Sequence, residues 1–147
     1  MSSRLGKILV SQGVVTVEEV ARALKARANG ERLGDALIRL GYASHAEVAQ
    51  ALSEQTGLAV ATLESFEPET ALLEAIPTRF VFRARVIPLG RENGTLRVGT
   101  ADPFRVAELD ELRLLTGLDV DPQIVARDEL DETINRLYGV GADALDR

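Results

Sequence analysis

The chain has 147 residues, 46% hydrophobic and 27% charged, with no cysteine and one histidine; that suits one domain or two small ones, and excludes both disulfide chemistry and a membrane-embedded class. The net charge of −6 is uneven, with seven Lys/Arg against six Asp/Glu in residues 1–57 and ten against seventeen in residues 58–147. Neither half is a basic nucleic-acid footprint, and residues 1–41 carry no aromatic ring for stacking on single strands.

Residues 4–27 align without a gap on residues 32–55, and ten of the 24 positions are identical. Chance gives roughly one or two matches, so the block is an internal repeat. Each copy reads as helix–turn–helix. Leu5, Ile8 and Leu9, with Val10 beside them, form an apolar stripe at helical spacing. Gly13 suits the left-handed position that ends a helix. Thr16 and Glu19 form a capping box for the next helix, whose inward face is expected from Val17, Val20, Ala21 and Leu24. Gly30 is expected to stop it. The second copy repeats this grammar with Leu33, Ala36 and Leu37, then Gly41, then the Ser44/Glu47 capping box, then Val48, Ala51 and Leu52, and Gly57 as the stop. His45, the only histidine, follows Ser44 and is expected at the surface.

The pattern changes after residue 57. Leu58–Ala61 reads as extended or irregular. A helix is expected over Glu67–Ala75, with Pro77 near its end. A short helix end then passes into a strand at Val86–Leu89. Asn93-Gly94 is a hairpin signal, and Thr95–Ala101 alternates as a strand. Asp102 and Pro103 are expected to cap and open a helix to about Leu115. Val120–Val125 reads as a third strand, parallel to Thr95–Ala101 through a right-handed crossover, and Arg127–Tyr138 as a final helix. The expected class is α+β. A four-helix subdomain of two helix–turn–helix repeats occupies residues 1–57. A small α/β subdomain with a three-stranded mixed sheet occupies 58–140, and 141–147 form a linker.

The duplicated pattern resembles that of the N-terminal domains of type II secretion and type IV pilus assembly ATPases, in particular the MshEN subset, which binds cyclic di-GMP. The residues carrying the resemblance are Arg4, Leu5, Gly6, Leu9, Gly13, Val20, Leu24 and Arg27, then Arg32, Leu33, Gly34, Leu37, Gly41, Val48, Leu52 and Gln55. Tyr138–Asp143 resembles the join that precedes the ATPase portion in such proteins. The family closes each copy with glutamine, which stands here as Gln55 but is replaced by Arg27 in the first copy. An amide both donates and accepts, whereas arginine only donates, although it can serve guanine O6 and N7. The resemblance implies no cofactor, cyclic di-GMP as ligand, a C-terminal ATPase portion of the same chain as partner, and an acidic ligand at Asp102. It also implies a cytoplasmic module, peripheral to the inner membrane.

The residues themselves allow this chemistry. Cyclic di-GMP is two-fold symmetric, and two copies of one motif can grip its halves equivalently. Arg4 and Arg32 offer planar donor forks for phosphate or purine faces. Gly6 and Gly34, in the first turns of their helices, either admit a base or phosphate to the backbone or permit close helix packing. Leu5, Leu9, Leu33 and Leu37 either sandwich guanines or form core. Asp102 is a ligand, a cap, or both. No Walker A pattern or cysteine nucleophile is present, so the chain is read as non-catalytic. The alternative function is docking, without nucleotide, onto the cytoplasmic part of an inner-membrane platform protein of a secretion or pilus system.

Overall fold

A computed structural model describes residues 4–139, which fall into two compact units divided between Leu58 and Ala59. In the first unit, α1 (Arg4–Ser11), α2 (Val17–Ala26), α3 (Leu33–Arg39) and α4 (His45–Thr56) follow the repeat. Both capping boxes form with the same geometry. The Glu19 and Glu47 amides donate to Thr16 Oγ1 and Ser44 Oγ at 3.1 Å, and the Thr16 and Ser44 amides donate back to the glutamate Oε1 atoms at 2.9 Å. Gly13 and Gly41 take φ of +75° and +81°. That bend lets Val14 N–H reach Leu9 O, and Tyr42 N–H reach Leu37 O, so each first helix ends in a Schellman turn. The α2 end departs from expectation. Its last residue is Ala26, and Gly30 lies beyond it in the turn to α3. Arg39 and Glu31 hold that turn: Arg39 Nη2 donates to Ala26 O at 2.9 Å, and Glu31 Oε1 accepts the Ala28 amide at 2.9 Å.

The core of this unit is Leu5, Leu9, Val15, Ala23, Leu33, Ala36, Leu37, Val48, Ala49, Ala51 and Leu52. Helix α1 packs chiefly on α4, and α2 on α3. Exchanging the two copies interchanges these pairs, so the repeat in the sequence is matched in the packing.

In the second unit the order is α5 (Thr70–Leu73), α6 (Thr78–Ala84), β1 (Val86–Glu92), β2 (Thr95–Thr100), α7 (Val106–Thr116), β3 (Asp119–Ile124) and α8 (Arg127–Ile134), which runs into a π-helical turn at Asn135–Gly139. The fold class is therefore the α+β expected. The sheet order is β1-β2-β3, antiparallel then parallel. Asn93 and Gly94 both have positive φ, the hairpin turn whose twist matches its strands. Residues 59–61 add a short parallel bridge to β3 through Ile124. Ile76, Phe80, Val81, Ile87, Leu96, Val98, Leu112, Leu130 and Ile134 lie at the centre of the core.

Two expectations fail here for local reasons. The helix placed over Glu67–Ala75 shrinks to Thr70–Leu73. Pro68 disfavours helical geometry at Glu67. The helix placed at Asp102-Pro103 begins only at Val106, with Arg105 as its N-cap. Asp102 Oδ1 instead accepts the Phe104 amide at 3.1 Å, and the Asp102 amide donates to Thr100 Oγ1 at 3.0 Å. The carboxylate closes an Asx turn upstream of the helix, so it does not cap it. The linker assigned to 141–147 lies outside the described residues.

Candidate functional site

The repeat places its residues in two classes. Leu5, Leu9, Leu33, Leu37 and Leu52 are buried, which supports core, one of the two readings left open for Leu5, Leu9, Leu33 and Leu37. Gly6 and Gly34 are buried as well. A Cβ on Gly6 would stand 3.1 Å from Val20 Cγ1 and 3.4 Å from Leu33 Cδ2. A Cβ on Gly34 would stand 2.7 Å from Val48 Cγ1 and 3.3 Å from Leu5 Cδ2. Each glycine thus admits a valine of its own copy and the motif leucine of the other. Helix packing, one of the two readings left open for them, is the one these contacts support.

Arg4, Arg27 and Arg32 are exposed, as are Gly13 and Gly41, while Leu24 and Gln55 are half-buried. Arg4 opens α1, and Arg32 occupies the N-cap of α3 in extended geometry without a side-chain capping bond. The amide oxygen of Gln55 is buried without a hydrogen-bond partner. Arg39 and Arg22 make internal contacts. Arg39 makes a forked pair with Glu31 at 2.9 and 3.1 Å. That contact, with the Ala28 amide, pulls the Glu31 carboxyl down to about 2. Arg22 donates to the Tyr42 hydroxyl at 3.1 Å and lies over its ring. Asp102 sits in the second unit, engaged as described.

A cleft of about 460 Å³ opens between α1 and α2, lined by Gly6, Lys7, Val10, Ser11, Val17, Val20, Ala21 and Leu24. Only Gly6 and Leu24 of the expected site residues line it. Periodicity had assigned Val17, Val20, Ala21 and Leu24 to the buried face of α2, yet Ala23 alone is buried on that helix and Val17 is 65% exposed. An apolar stripe reads the same whether it faces a core or walls a cleft, so periodicity does not separate the two.

The MshEN domain family matches residues 56–144, more than half of the chain. The chain belongs to the MshEN family. The matched segment covers the second unit and leaves the repeat outside it. A solved structure of MshE with cdg is 30% identical and superposes with a TM-score of 0.77, covering 93% of this chain and 100% of that one, so the likeness takes in both units. Type IV pilus assembly ATPase PilB of Myxococcus xanthus is 28% identical over 99% of the chain, and type II secretion system protein E of Xanthomonas campestris pv. campestris is 33% identical over 85%. The chain spans about a quarter of these relatives, 26% and 23% of their lengths.

Proposed function

We propose that this MshEN domain is a regulatory module that binds cyclic di-GMP through its duplicated motif and sits beside the ATPase portion of a secretion or pilus motor. The carrying observation is the reciprocal contact of Gly6 with Leu33 and Gly34 with Leu5. It relates the two copies reciprocally, and so supports a paired grip by Arg4 and Arg32, which hold matching positions of the repeat, on a two-fold symmetric ligand. The likeness to MshE, solved with cdg, supports the same reading. In it the buried leucines act indirectly, by fixing the helices that present the arginines. Leu24, Arg27 and Gln55 close each copy around the base. Two guanidinium forks match two phosphates. The module itself carries out no reaction, and through its neighbours it lies at the cytoplasmic side of the inner membrane.

Calorimetry with cyclic di-GMP, cyclic di-AMP and GTP tests this. Binding of cyclic di-GMP in preference to the other two, lost in Arg4→Ala/Arg32→Ala at unchanged melting temperature, is the expected result. No heat and no thermal shift up to millimolar cyclic di-GMP would overturn it.

A further inference from the structure

The copies occupy residues 4–27 and 32–55, so the spacer between them is Ala28-Asn29-Gly30-Glu31. Arg27, the last residue of the first copy, and Arg32, the first of the second, flank it. Both are candidate ligand contacts, one from each half. Arg27 to Gly30 are all exposed, and an exposed connection of this kind is ordinarily among the more mobile parts of a fold. Here the chain closes it on itself. The Glu31 amide donates to Ala28 O at 3.0 Å, with Gly30 at φ +80° in the turn, and the Ala28 amide donates back to Glu31 Oε1 at 2.9 Å. Arg39, the last residue of α3, then pins the turn from outside. Its Nε donates to Glu31 Oε2 at 3.1 Å, and its Nη2 donates to Glu31 Oε1 and to Ala26 O, each at 2.9 Å. One guanidinium thus ties the end of α2, the spacer and the end of α3 together. The first copy has Ser11 where the second has Arg39, and Ser11 Oγ donates to Ile8 O of its own helix. The clamp is therefore an addition to the repeat and no part of its duplicated pattern.

We infer that Glu31 and Arg39 are positioning residues for the ligand: their clamp fixes the spacer, and with it the separation of Arg27 and Arg32, before a cyclic dinucleotide arrives. This rests on the reading of the repeat as a cyclic di-GMP site. Neither residue has to touch the ligand. Ordering the spacer in advance removes an entropy cost that binding would otherwise carry. The sign of the effect separates positioning from charge. The Glu31 carboxyl is held down by Arg39 first, then by the Ala28 amide, and also by the charge of Arg27, so it stands in the field of Arg27. A carboxylate acting by charge alone would repel an anionic ligand from this place, and its removal would tighten binding. Removal of a positioning carboxylate weakens it. Arg39 is separable in the same way, because lysine keeps the charge but cannot form the planar fork.

The test is calorimetry with cyclic di-GMP at fixed salt, well below the melting temperature, on the wild type, Glu31→Ala and Arg39→Lys. Amide relaxation of residues 27–32 is measured by nuclear magnetic resonance on the same three proteins without ligand. Both variants are expected to bind about three- to tenfold more weakly, the scale of ordering one or two long side chains. In both, the amides of Ala28 to Arg32 should be more mobile than in the wild type, and saturating cyclic di-GMP should quieten them again. Tighter binding by Glu31→Ala, or wild-type affinity in both variants, would overturn the inference and leave the nucleotide site standing. Weaker binding with the spacer as rigid as in the wild type would also overturn it, assigning the loss to direct contact or to charge. No binding by the wild type would overturn the nucleotide reading itself, and this inference with it.

Discussion

Gly34 lies under Val48 so closely that a Cβ on it would stand 2.7 Å from Val48 Cγ1, whereas the matching gap between Gly6 and Val20 is 3.1 Å. The two copies are thus equivalent in topology but unequal in tightness. Gly34→Ala should cost about 1–3 kcal/mol from overpacking. In Gly6→Ala the smaller crowding is offset by alanine's helix preference of ~0.5–1 kcal/mol over glycine. Thermal melts of the two variants are expected to separate them in that order. Val48→Ala added to Gly34→Ala should recover part of the loss, because it removes the atom in the way.

Burial divides the motif leucines from those of the cleft. Leu37 is fully buried, and Leu37→Ala should destabilise by about 2–5 kcal/mol. Val17 is mostly exposed, and Val17→Ser should stay within ~0.5 kcal/mol. Chemical denaturation checks both. A large loss at Val17 would mean that the α2 stripe is core after all.

Arg32 should matter more to ligand affinity than Arg4. Its copy keeps Gln55, an amide that both donates and accepts, where the first copy has Arg27. Arg32→Ala is expected to cost ~1–3 kcal/mol of binding and Arg4→Ala less, by calorimetry at fixed salt. Arg27→Gln, which restores the family's residue in the first copy, should bring the two losses closer together.

Glu31 should show an acid-side dependence. Its carboxyl is pulled down to about 2, first by Arg39 and then by the Ala28 amide. A group whose folded pKa is depressed stabilises the fold above its unfolded value, near 4.3, and that support is lost as pH falls through the folded value. The difference in melting temperature between the wild type and Glu31→Gln should therefore be largest above about pH 5 and fade towards pH 2. A carboxyl titration by nuclear magnetic resonance should move Glu31 part of the way back towards the ordinary range in Arg39→Ala, with the Ala28 amide still holding it down.

Local rules were sufficient wherever one signal had one structural outcome. Thr16/Glu19 and Ser44/Glu47 formed their capping boxes, Gly13 and Gly41 turned left-handed, and Asn93-Gly94 made its hairpin, because each needs only its near neighbours in the chain. The repeat itself was legible for the same reason, since like sequences meet like short-range constraints. Where two outcomes share one signal, packing decided. The α2 stripe could serve as a core face or a cleft wall, and α3 and α1 cover only Ala23 of α2 fully. Gly6 and Gly34 could admit a ligand or a neighbouring helix, and Val20, Val48 and the opposing leucines take that space. Asp102 could cap a helix or close a turn, and Thr100 with the Phe104 amide claims it for the turn. Such choices depend on atoms distant in the chain or on competing hydrogen bonds of similar strength, so periodicity and spacing leave them open and only the folded arrangement settles them.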